Sequence, residues 1–227
     1  MASLKSFLQG VAPILGVSLA TLYERQRALV RLGVLPPSTG AGPGSGVPFT
    51  AENFAPILIS LLASDSLSDV DQSMVALFKA KPETTFDDWS WGRSEKRSDG
   101  RLPFPTHFWS ELTPRGKPTF LRDVALVLSG YTAKVPWEEH EEAYEPVWYI
   151  GDTTGVRVSR VWRGQIVVKV GDSSFFASYH SSKNRPARAI SITAEIEGDM
   201  LNRLISFTKH ALSQPEGLGQ AEEKDDE

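Results

Sequence analysis

Val11-Ala12-Pro13-Ile14-Leu15-Gly16-Val17-Ser18-Leu19-Ala20-Thr21-Leu22-Tyr23-Glu24-Arg25-Gln26-Arg27-Ala28-Leu29, followed by Gly33-Val34-Leu35, is the stretch on which the fold turns. Upstream of it, Leu4, Phe7, Leu8 and Val11 recur at the three-to-four-residue spacing of one apolar helical face. Gly10 and Pro13 predict two short helical pieces over residues 3–15, because proline is tolerated in a first turn but not in an interior. Leu15-Gly16-Val17-Ser18 reads as a tight turn in which Ser18 caps the next helix, and Gly16 suits a backbone that needs positive φ. Residues 19–32 are all helix-compatible. Leu22, Leu29 and Leu32 lie close to one face, and Glu24, Arg27 and Arg31 lie elsewhere. Gly33 stands where a left-handed residue ends a helix.

Outward from this core, residues 36–48 hold four glycines and four prolines and exclude regular structure, as a linker or a wing would. Residues 50–63 read as an almost wholly buried helix whose start is blurred by Pro56. Residues 68–80 read as a second helix with Ser68 as cap and Val70, Met74, Leu77 and Phe78 on one stripe. The first domain is expected to end near residue 82. Aromatic residues are scattered through an irregular segment at 83–118, residues 120–128 read as a helix, and 137–145 is an acidic stretch. A β signal then follows at 147–150, 156–162, 165–170, 174–179 and 189–195, with turns at Arg163-Gly164 and Gly171-Asp172. An amphipathic helix over 198–212 closes the chain before an acidic tail.

These assignments give an α+β protein in which an N-terminal all-α domain precedes an antiparallel-sheet-plus-helix domain. The expected divisions are 1–82, a connector at 83–146, 147–212, and a disordered tail at 213–227. A chain of 227 residues with 41% hydrophobic and 23% charged residues is ordinary globular material, so fibrous and wholly disordered classes are excluded. The longest apolar run, residues 54–63, is half the length of a membrane span and contains Pro56 and Ser60. With no secretory leader pattern at the N-terminus, the expected location is the cytoplasm. The absence of cysteine removes disulfides, thiolate metal sites and cysteine nucleophiles together. The net charge of −4 conceals a division: residues 1–50 carry +3 and 151–212 carry +4, whereas 213–227 carry −5. Two basic regions remain compatible with nucleic acid in an acidic chain.

The stretch 11–35 resembles the helix-turn-helix of bacterial and phage transcription regulators. Ala12 matches the small residue where two helices cross, Gly16 the turn glycine, and Val17 and Leu22 the apolar plugs between the helices. The resemblance implies that the helix beginning at Ser18 is a recognition helix entering the major groove N-terminus first. Ser18, Ala20, Thr21 and Glu24 would then face base edges, while Tyr23, Arg25, Arg27 and Arg31 would reach phosphates, which fix register without reading sequence. The plainer reading is a helical hairpin with a cationic solvent face.

Enzyme signatures are lacking. His107, His140, His180 and His210 stand far apart, no second histidine lies near His140 at metal-ligand spacing, and the 40–46 glycines lack the Lys-Ser/Thr ending of a phosphate loop. No catalytic residue, metal or cofactor is expected. The C-terminal set Arg157, Arg160, Arg163, Lys169, Lys183, Arg185 and Arg188 reads as solvated strand charges before it reads as a second nucleic-acid surface. The function expected is therefore sequence-specific binding of double-stranded DNA by a homo-oligomeric regulator without membrane attachment. The other class is an interaction module, such as a phage packaging or assembly protein, in which the N-terminal helices dock on a protein.

Overall fold

The computed structural model describes residues 3–38, 47–83, 119–130, 133–134, 147–148, 154–159, 163–170, 173–180 and 193–213. Helices α1 (Leu4–Leu15), α2 (Leu19–Arg31), α3 (Ala51–Ala63) and α4 (Gln72–Phe78) lead into strand β1 (Pro82–Glu83). Helix α5 (Phe120–Leu128) is followed by β2 (Ala133–Lys134), β3 (Val147–Trp148), β4 (Thr154–Ser159), β5 (Arg163–Val170), β6 (Ser173–His180), β7 (Thr193–Glu197) and α6 (Gly198–Ser213). The class is α+β, with an antiparallel sheet in the order β1-β6-β5-β4-β7. Strands β2 and β3 form a separate antiparallel pair.

Several local expectations need correction. Residues 4–15 form one helix instead of two pieces. Its Gly10 is a point of close approach: a Cβ there would stand 2.3 Å from Cζ of Phe207 on α6. Packing of α1 on α6 thus overrides the weak helix propensity of glycine, and Pro13 sits exposed in the last turn. The helix expected at 68–80 starts later. Ser66 instead caps a single 3-10 turn at Leu67–Asp69, and α4 begins at Gln72 with Asp71 Oδ1 accepting from the Met74 N–H. Val70, Met74, Leu77 and Phe78 are nevertheless all buried as their spacing predicts. Arg163 and Gly164 open β5 instead of forming a turn, whereas Val170 pairs with Ser173 across the two-residue connection Gly171-Asp172. The strand expected at 147–150 lies in the small pair, outside the main sheet. The Gly/Pro residues 39–46, the aromatic segment, the acidic stretch with His140 and the tail lie outside the described residues.

Alternate sheet residues Val156, Val158, Ile166, Tyr179 and Ile196 are buried, as expected of one covered face. Helix α3 packs on β4 and β7, and α6 packs on the same two strands. Tyr179 donates from its hydroxyl to Asp123 Oδ2 at 2.7 Å, which ties β6 to α5 through a buried polar link. Among the described residues, one buried cluster contains side chains from all six helices and from the sheet. Phe7 joins its layers: its ring stacks on Phe49 at 3.7 Å and also meets Phe54 and Phe207.

Candidate nucleic-acid interface

Three residues separate α1 from α2. Gly16 ends α1 in the left-handed region (φ 65°), with its N–H and that of Val17 returned to the carbonyls of Pro13 and Ala12. Ser18 then starts α2: its Oγ accepts from the Thr21 N–H at 3.1 Å and shares a hydrogen bond with Thr21 Oγ1 at 2.8 Å. The apolar side of α2 carries Leu22, Ala28 and Leu29, all buried, and α2 packs on α1 and α3.

The eight residues expected to meet DNA separate into two groups. Ser18 and Ala20 are exposed at the start of α2, Thr21 and Glu24 are half-buried, and Arg27 and Arg31 are exposed. Arg27 pairs with Glu24 at 2.8 Å one turn back, a solvent-screened contact that leaves the guanidinium open on its outer side. Arg25 is on the other side of the helix. It is 2% exposed, and its two terminal nitrogens donate to the backbone carbonyls of Ser60 and Ser64 at the C-terminal end of α3. Carbonyls that end a helix carry partial negative charge and need donors. Burial pushes the Arg25 pKa below its ordinary value, against the opposing pull of Asp65 and Asp69, and the guanidinium remains charged. A side chain so placed has no path to a phosphate, which corrects the role expected of it. The spacing held the signal: Arg25 lies three residues after Leu22 and four before Leu29, on the buried face.

Tyr23 needs a similar correction. Its ring packs against the core and its hydroxyl oxygen is buried, so it presents no donor to solvent. Two of the four expected phosphate contacts therefore remain, Arg27 and Arg31.

Lys5, on the first turn of α1, stands near the exposed side of α2. Beside α2 lies an open groove of about 790 Å³ whose walls include Lys5, Tyr23, Arg27, Val30, Arg31 and Val47. The groove exists because the chain returns after the Gly/Pro segment onto the first turn of α1. The Leu4 N–H donates to the Val47 carbonyl at 2.8 Å, and Ser3 forms a bridge with Pro48. Ser3 also caps α1 through its Oγ, which fixes the position of Lys5. No local pattern announces a neighbour some 40 residues away.

In the C-terminal half, Arg157 pairs with Glu195 directly opposite it on β7, so this member of the basic set is neutralised across the sheet. Among the described residues, no group of three metal-ligating side chains is placed to hold an ion, and no helix is long and apolar enough to cross a membrane. No protein family, no curated protein and no solved structure matches the chain, and the functional reading rests on its own residues.

Proposed function

We propose that this chain binds double-stranded DNA through the outer face of α2, as a sequence-specific regulator of bacterial or phage type acting in the cytoplasm. In this reading α1, the Gly16–Ser18 connection and α2 form a helix-turn-helix. The observation that carries it is the division of α2: one face is locked into the core, while Ser18, Ala20, Glu24, Arg27 and Arg31 run along the other from a capped N-terminus. Ser18, Ala20, Thr21 and Glu24 would approach base edges. Arg27 and Arg31 would hold phosphates, and a second copy of the chain would supply the other half-site.

The test is affinity for random and selected duplexes at two salt concentrations. DNA binding by this face gives a linear fall of log affinity with log salt, about 0.9 for each phosphate contacted, and tighter binding to selected sequences. Weak binding without salt dependence would return the N-terminal helices to the protein-docking class.

A further inference from the structure

We infer that one phosphodiester strand lies in the groove beside α2, held between Lys5 on α1 and the Arg27–Arg31 edge of α2. This rests on the DNA reading above and adds to it a contact from a different helix. Three observations support it. Lys5 is exposed and lines the same groove as Arg27 and Arg31, so cations stand on walls built from two elements. Among the described residues lining the groove, Glu24 is the one acidic side chain, and its carboxylate is engaged by Arg27 at 2.8 Å. Among the described residues, neither Lys5 nor Arg31 has an ion-pair partner, so the groove holds two uncompensated positive charges. A repeating anion that can meet both walls at once satisfies this arrangement. The backbone of a duplex whose major groove takes α2 passes alongside that helix.

Lys5 is also held in place better than a surface lysine usually is. Ser3 caps its helix and the Val47 carbonyl accepts from the N–H of Leu4, the residue before Lys5, so the position of the Lys5 Cα is set before DNA arrives and only side-chain freedom is lost on contact.

The experiment measures duplex affinity against salt for the full chain and for Lys5→Gln, Lys5→Glu and Lys79→Glu, with thermal melting as the check on folding. Lys79 is an exposed lysine beyond α4 that does not line the groove. The expected result is a salt slope shallower by about one unit in Lys5→Gln, a loss of about tenfold at low salt in Lys5→Glu, and no change in slope in Lys79→Glu. If the unaltered chain binds DNA and both Lys5 variants bind as it does, the groove is not the strand's path and the α2 reading survives alone. Equal weakening by Lys5→Glu and Lys79→Glu would reduce the effect to net charge and overturn the inference. A chain that binds no duplex at all would remove both.

Discussion

The inner and outer faces of α2 carry the same kind of residue to opposite ends. Arg25 and Arg27 stand two positions apart, yet one guanidinium is sealed against the end of α3 and the other stands in solvent with 73% of its side chain exposed. A helix turns about 100° per residue, so two positions carry a side chain most of the way to the opposite face. Phase decides which arginine is structural. The inner one gives up its hydration and recovers hydrogen bonds from two carbonyls, and the outer one keeps its water. An arginine-rich helix can therefore contain fewer binding residues than its charge suggests.

Substitution at the two arginines should separate the two faces most strongly. Arg25→Ala removes two charge-assisted hydrogen bonds and leaves a cavity beside unpaired carbonyls. It should cost about 2–5 kcal/mol, which lowers the melting temperature by about 4–20 °C in a chain of this size. Arg27→Ala should stay within about 0.5 kcal/mol of the unaltered protein, as exposed positions do. Equal melting temperatures for the two variants would mean that Arg25 is not buried as described.

A smaller effect is expected where α1 meets α6. Gly10→Ala places a Cβ against Phe207, and overpacking of this kind costs about 1–3 kcal/mol. Better helix propensity returns about 1 kcal/mol, which leaves a net loss of up to about 2 kcal/mol. Pairing it with Phe207→Ala removes the clash, so the double variant should be more stable than the sum of the single effects predicts. Strict additivity in that cycle would show that the N-terminal helices and α6 do not share a core.

Much of α2 was legible because its signals are local. Gly16, Ser18 and the Leu22–Leu29 spacing set the turn, the cap and the buried face within a dozen residues, and each occurs where expected. The continuous α1 was not legible, since the partner that makes Gly10 useful is Phe207, almost the whole chain away. The same holds for the Asp123–Tyr179 link, whose members are separated by 56 positions. Arg25 failed for another reason: its phase was readable, but its residue type argued for solvent until the carbonyls of Ser60 and Ser64 were seen to await it. Lys5 was missed because its groove is made by the return of Val47, a consequence of tertiary structure.

The proposed function requires that the outer face of α2 meet phosphate. The most direct test is the slope of log duplex affinity against log salt for the unaltered chain, Arg27→Ala and Arg31→Ala, with melting temperatures matched. Each variant should bind all sequences more weakly and lose about one unit of slope per contact removed. Affinities and slopes identical to those of the unaltered chain in both variants would contradict it, and α2 would then be a packed helix with a cationic solvent face.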